Sequence, residues 1–234
     1  MRGKADVVTR SAIPKTVVVA SRNQGKVAEL RSLLSTWGIA EVRGIAEFPG
    51  VPEAEEKGAS YAENAREKAA VVAAATGLPT LGEDSGLEVA ALGGRPGIYS
   101  ARYGGPGLSD AERVARLLAE LEGVPEEERT AVFHAVAVLR WPDGRTVEGA
   151  GERRGRIALA PRGSRGFGYD PVFIDPESGI TFSEMSQEQK TRVDHRGRAL
   201  RALHSVLVEG TRRSANNGDP GTGNPRPGKR QRVS

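Results

Sequence analysis

The chain of 234 residues contains no cysteine. Disulfides, thiolate nucleophiles and cysteine-held zinc are therefore excluded, and any metal must be held by oxygen or imidazole donors. No apolar run approaches the roughly 20 residues of a membrane-crossing helix. Residues 1–15 are basic, but the apolar block at 17–20 is too short and too β-branched for the core of a secretory leader. The expectation is a cytoplasmic protein with no membrane partner. What remains, 38% hydrophobic and 27% charged residues, is the composition of an ordinary soluble protein, and the length fits one catalytic domain.

A basic body is also lacking, although the formal net charge is +4. Residues 211–234 carry Arg212, Arg213, Arg226, Lys229, Arg230 and Arg232 against Asp219, a net of +5, which leaves −1 for residues 1–210. A specific nucleic-acid partner is not expected. The tail is rich in glycine and proline and nearly devoid of apolar residues, so burial cannot offset the entropy of ordering it. The expected organisation is a flexible extension over 1–15, one domain over 16–209 and a disordered basic tail over 210–234.

Along the domain, the β-branched run 16–20 leads through Ser21-Arg22-Asn23-Gln24-Gly25-Lys26 into apolar residues at helical spacing, Val27, Leu30, Leu33, Leu34 and Trp37. Gly38 ends that helix, and a strand over 41–45 would complete a βαβ unit. Ser60 and Glu63 have capping-box spacing before an alanine-rich helix that Gly77 and Pro79 close. Residues 80–83 read as a strand running into an Asp84-Ser85-Gly86 turn, with extended chain again over 87–89. Ser109 and Glu112 open a helix whose apolar face is Val114, Leu117, Leu118 and Leu121. Residues 132–139 and 146–148, joined by Pro142-Asp143-Gly144, read as a hairpin. A loop over 166–171 precedes the apolar run 172–174. Ser186 with Gln189, and Asp194 before Leu200, Leu203, Val206 and Leu207, mark two closing helices.

Four constellations carry chemistry. Ser21, Asn23 and Lys26 between strand and helix offer hydroxyl, amide, ammonium and helix N-terminal N–H donors, the makings of a phosphate seat, though taken alone the motif reads first as a helix cap with a solvated lysine. Glu53, Glu55, Glu56, Glu83 and Asp84 are hard oxygen donors, the kind Mg²⁺ takes in ones and twos beside substrate phosphates. The glutamate run also reads as a solvated loop, and Asp84 as an Asx-turn. Lys68 lies one helical turn after Asn64, so both face one way; its ammonium can join the acids, or it is an ordinary surface lysine. In Phe167-Gly168-Tyr169-Asp170 two aromatics flank a glycine, suiting them either to stack on a base or to plug a core edge. Lys190, His195 and Arg196 lie by the closing helices. Lysine and arginine only donate, so they suit a purine 6-keto oxygen and not the 6-amino group of adenine.

Together, the motifs SRNQGK (21–26), EKG (56–58), SYAENAREK (60–68), EDSGL (83–87), LGGRPGIYSARY (92–103), FGYDP (167–171) and DHRG (194–197) resemble the inosine triphosphate pyrophosphatase family, in that family's order and over roughly residues 16–208. The resemblance implies an α/β fold with a long mixed central sheet, flanking helices and two lobes around a nucleotide cleft, acting as a homodimer. It implies hydrolysis of non-standard purine nucleoside triphosphates such as ITP, dITP and XTP to monophosphate and pyrophosphate. Ser21, Arg22, Asn23, Gln24, Gly25 and Lys26 would hold the triphosphate. Glu56 and Asp84 would bind Mg²⁺, with Asp84 also the proton acceptor. Ser85 and Lys68 would contact phosphate, Phe167, Gly168, Tyr169 and Asp170 would frame base and sugar, and Lys190, His195 and Arg196 would read the keto purine. One departure is Glu83-Asp84, where many bacterial relatives carry two aspartates, so that a longer arm bears on metal geometry. The rival is a non-catalytic nucleotide sensor, which has little reason to set carboxylates beside a triphosphate.

Overall fold

The computed structural model of the chain describes residues 13–52 and 54–216, the stretch 210–216 as backbone only. The first unit is the expected one. β1 (Thr16–Val19) leads into α1 (Gln24–Ser35) and returns as β2 (Glu41–Gly44), parallel to β1 in the register Thr16↔Glu41 to Val19↔Gly44. α2 (Tyr61–Thr76) starts at Ser60, whose side chain accepts from the Glu63 amide, and ends at Gly77, where φ of 66° suits glycine. Glu63 returns its bond to the Ala59 amide at 2.8 Å, one residue outside the box read from sequence.

β3 (Thr80–Val89) departs from expectation, because Asp84-Ser85-Gly86 makes no turn and the strand runs through it. Its ten residues all pair antiparallel with β5 (Thr130–Arg140), from Thr80↔Arg140 to Val89↔Ala131, so no backbone group is released to turn. Gly86 is needed for close approach instead: a Cβ there would lie 2.3 Å from the Gly97 carbonyl oxygen and 2.8 Å from Tyr61. The short β4 (Pro96–Gly97) pairs with the far half of β3.

β6 (Thr146–Ile157) is far longer than the segment 146–148 legible in sequence. Gly149, Gly151 and the charges at 152–154 hide it, and the two glycines have a packing reason. A Cβ on Gly149 would stand 2.3 Å from the Ala199 oxygen, and one on Gly151 2.3 Å from the His195 oxygen, so α5 (His195–Asn216) lies directly on the strand. The sheet closes with β7 (Phe173–Ile174) in the order β2-β1-β3-β5-β6-β7, with β4 off the edge of β3. It is parallel only across β2-β1-β3, giving the expected mixed sheet with flanking helices.

Alternate residues of β5 face opposite helices, as strand geometry requires. Val138 packs on Ala65 and Ala69 of α2, while Ala135, Ala137 and Leu139 pack with Leu30 and Leu34 of α1 and with Ala199 and Leu203 of α5. A second cluster gathers Leu87, Phe133, Phe173 and Phe182 under α3 (Asp110–Glu120), whose Ser109–Glu112 capping box forms as expected. The last turn of chemistry comes from α4 (Gln187–Val193) and the start of α5, joined at Asp194, whose carboxylate accepts from the Gly197 amide at 2.7 Å. Val206, read as part of the buried face of α5, is 50% exposed. The helix continues to Asn216, past the boundary composition sets at 209; residues 217–234 and 1–12 lie outside the described residues, while Ile13, expected in the extension, packs against the first cluster.

Candidate active site

β1 ends at Val19 and pairs with β3 only as far as Leu81, so β3 runs on past the end of β1 where the chain turns into α1. That leaves a crevice beside residues 83–85. Asp84 is thus mid-strand, and not at a strand end as its sequence suggested; it is buried and meets the cleft through Lys68, which lines it.

The start of α1 builds one wall. Asn23 caps the helix, its Oδ1 accepting from the Lys26 amide at 3.1 Å, and Ser21 Oγ accepts from the Asn23 amide at 3.2 Å. Lys26 then points its ammonium to Glu83, Nζ to Oε2 2.9 Å. Ser21, Arg22, Asn23 and Lys26 line a cleft enclosing about 980 Å³ open to solvent, with Glu56 and Lys68 opposite. Gln24 lies on the exposed side of the helix and Gly25 beneath Phe167, a Cβ there meeting the ring at 2.7 Å.

Strand alternation divides the acid pair. Asp84 faces α2: its Oδ1 is 2.8 Å from Lys68 Nζ, and its Oδ2 accepts from Asn64 Nδ2 at 3.1 Å. Lys68 also pairs with Glu56, which Arg102 Nη1 holds at 2.9 Å from its other oxygen. Glu83 faces the opposite side, between Lys26 and Arg196 Nε at 3.3 Å. The longer arm of Glu83 is therefore turned away from Glu56 and Asp84. Burial raises the Asp84 carboxyl above its usual range despite the attraction of Lys68. Burial pushes Glu83 the same way, but Lys26 and Arg196 outweigh it and hold Glu83 below the ordinary carboxylate range.

The other end of the crevice is aromatic. Lys26 and Asn23 border a second cleft, of about 700 Å³ open to solvent, lined by Ser85, Phe167, Tyr169, His195 and Arg196. His195 is buried, stacks on Phe133 with centroids 4.5 Å apart and 5° between planes, and has no partner for Nδ1 among the described residues. Burial, reinforced by Arg196, drives its pKa well below the usual value, so the imidazole is neutral. Arg196 reaches Ser85 Oγ at 3.3 Å and pairs with Glu29, and its guanidinium lies 5.4 Å from the Phe167 centroid.

Lys190 stands farther back than the sequence suggested. Its ammonium is buried between Glu29 at 2.7 Å and Asp170 at 2.5 Å, and it does not border the cleft. Asp170 also accepts from the Phe167 amide at 3.0 Å, so Lys190 holds the aromatic loop through it. Tyr169 forms a floor, its hydroxyl donating to the Ser100 carbonyl at 3.0 Å.

Glu29, Arg102 and Asp110 were missed in the sequence. Glu29 occupies a helix position where an acid reads as surface, and only its spacing one turn after the phosphate-seat residues hinted otherwise. Arg102 lies inside the 92–103 motif without a distinguishing signal, and Asp110 reads only as a favourable first-turn acid. Glu53 falls outside the described residues, and Glu55 pairs with Lys57 on the surface.

A family model described as the Ham1 family matches residues 17–206. The dITP/XTP pyrophosphatase of Nitratidesulfovibrio vulgaris is 52% identical over 194 residues, covering 80% of this chain and 93% of that protein. Among solved structures, a HAM1 protein from Coxiella burnetii matches with a TM-score of 0.73 at 41% identity, over 83% of this chain and 98% of that one. The Ham1 protein of Staphylococcus aureus matches with a TM-score of 0.72 at 37% identity, over 83% and 99%.

Proposed function

Because this chain belongs to the Ham1 family, we infer that it hydrolyses non-standard purine nucleoside triphosphates, ITP, dITP and XTP, to the monophosphate and pyrophosphate. The observation that carries the site assignment is the division of β3. Asp84 is held by Lys68 and Asn64 on one face, and Glu83 by Lys26 and Arg196 on the other, so one strand organises a phosphate end and a base end.

The phosphate end fits a divalent cation, which we take to be Mg²⁺. Lys26, Lys68, Arg102, Lys190 and Arg196 are each already paired with a carboxylate, so a triphosphate would bring in uncompensated negative charge. Glu56 and Asp84, two oxygen donors touching one ammonium, would hold the ion, with water and phosphate oxygens completing its shell. Among the described residues no group of three histidine or acidic side chains forms a protein-only cage, as Mg²⁺ sites seldom do. When bound, the ion polarises phosphate oxygens and offsets charge.

Asp84 accepts the proton of the water that attacks the α-phosphorus. Lys68, with its pKa raised by Asp84 and Glu56 over the opposing effect of burial, stays protonated and steadies charge developing on phosphate, as does Lys26. Ser21, Arg22, Asn23 and Ser85 position phosphate oxygens. At the base end Phe167 supplies a face, and Arg196 and neutral His195 meet the 6-keto oxygen. A bond built on such donors leaves adenine's amino group unmatched, which can discriminate by as much as about 10⁴-fold. The proposal includes a cytoplasmic homodimer, supported by the family resemblance.

A panel of nucleoside triphosphates assayed with Mg²⁺ and with chelator tests the reading. Inosine monophosphate and pyrophosphate should form from ITP only with metal, and ATP should be a poor substrate. Release of orthophosphate, or no metal-dependent product, would refute it. No specific observation favours the non-catalytic sensor.

A further inference from the structure

Phe167 gives the base end an aromatic face over Gly25 of α1, and it stands on a loop between β6 and β7. Gly166 and Gly168 flank the ring with φ of 77° and 60°. Asp170 ties the Phe167 amide from within the loop. Lys190 on Asp170 and the Tyr169 hydroxyl on Ser100 anchor the far side of the loop, and a tie next to the ring itself comes from α3: Gly168 N donates to Asp110 Oδ2 at 2.7 Å, across 58 residues of sequence. α3 is itself fixed, by the Ser109–Glu112 box and by burial of Val114 and Leu117.

Asp110, Phe167 and Gly168 also border an apolar groove behind the cleft, which Val114, Leu118 and Pro171 line. The same three residues therefore form the partition between two open spaces. Nothing covalent closes it; the Asp110–Gly168 bond joins its two halves.

We propose that Asp110 is a positioning residue for the purine end, latching the Gly168 amide to α3 so that the Phe167 ring keeps its place over Gly25 and against the base cleft. This rests on the functional reading above for its substrate, though not for the latch itself. Asp110 is exposed and bonds the loop at Gly168, whereas Asp84 bonds Lys68 and Asn64, so loss of Asp110 should weaken nucleotide binding without touching the chemical step.

The test uses the full chain with Asp110→Ala and Asp110→Asn. Loss of an exposed charge-assisted hydrogen bond corresponds to about a three- to tenfold rise in KM for ITP in the alanine variant. Its kcat should stay within about twofold, and inhibition by inorganic pyrophosphate, which engages the phosphate end alone, should be unchanged. The asparagine variant keeps an acceptor and should restore most of the KM. Hydrogen exchange gives a readout independent of activity: peptides spanning 165–170 should exchange faster in Asp110→Ala, with β3 unaffected. An unchanged KM, or unchanged exchange in that loop, would overturn the latch. A wild-type chain inert toward ITP would instead overturn the function, and the exchange experiment would still judge the latch.

Discussion

Replacing Asp84 by asparagine separates what this side chain does for stability from what it does for catalysis. The Gly58 amide donates to Asn64 Oδ1 at 2.8 Å, which fixes the Asn64 amide so that Nδ2 faces Asp84. In Asp84→Asn, keeping Oδ1 on Lys68 turns the new amide nitrogen toward that donor, and neither group has an acceptor. A buried donor left unmatched costs about 1–3 kcal/mol. Removal of a charge that burial disfavours offsets part of this, so the expected net loss in denaturant unfolding is about 1 kcal/mol. Pyrophosphate release from ITP should fall by about 10²- to 10⁴-fold, the usual worth of a general base. Adding Asn64→Asp exchanges the two groups: the new carboxylate accepts from Gly58 and from the amide at 84, and every bond is remade. The double variant should regain wild-type stability to within about 0.5 kcal/mol while remaining inactive, since its charge has moved toward α2. Recovery of turnover in the double variant would refute the assignment of Asp84 as proton acceptor, and a double variant less stable than either single one would refute the hydrogen-bond reasoning.

Three other outcomes follow from packing and charge. Gly25→Ala places a Cβ 2.7 Å from Phe167 Cδ1, so KM for ITP should rise several-fold while stability holds or improves by up to about 1 kcal/mol, as alanine favours the helix; steady-state kinetics beside denaturant melts check both signs. Gly151→Ala pushes a methyl within 2.3 Å of the His195 oxygen and 2.4 Å of the Ala199 nitrogen, both backbone, and should cost about 3 kcal/mol or more in denaturant unfolding, because α5 must lift from β6. Asp194 is buried, which pushes its pKa up from 3.8 to about 6, so its charged form opposes folding above that pH and the cost fades as pH falls toward 4. Asp194→Asn keeps an acceptor for the Gly197 amide and should be more stable than wild type at pH 8 by about 1–3 kcal/mol. The gain should vanish near pH 4; a gain that grows on acidification would contradict the sign.

Helix boundaries were the most legible part of the fold, because caps act locally. Ser60, Ser109 and Ser186 all accept the amide three residues on, as their spacing indicated. The long strands were least legible. Asp84-Ser85-Gly86 and Gly149 to Gly151 carry turn-like residues in mid-strand, and what keeps them extended is full pairing with β5 and the close approach of α2 and α5. At the site, residue types were readable and partners were not. The resemblance sets Lys190 with His195 and Arg196 at the base, whereas its ammonium is buried in ion pairs with Glu29 and Asp170, which residue type and spacing do not reveal.

The sequence by itself determined the chemical inventory: no thiols, hard oxygen donors, helix-start phosphate donors, donor-only groups for a keto purine, and motifs ordered as in one family. Those are properties of residue type and local spacing, which short-range forces decide. Tertiary structure alone decided that adjacent Glu83 and Asp84 pair with cations on opposite faces of the sheet, and that Glu29, Arg102 and Asp110 tie Lys190, Glu56 and Gly168 in place. The reason is that a strand sends neighbouring side chains to opposite faces, and which helix waits on each face depends on contacts between segments far apart in the chain.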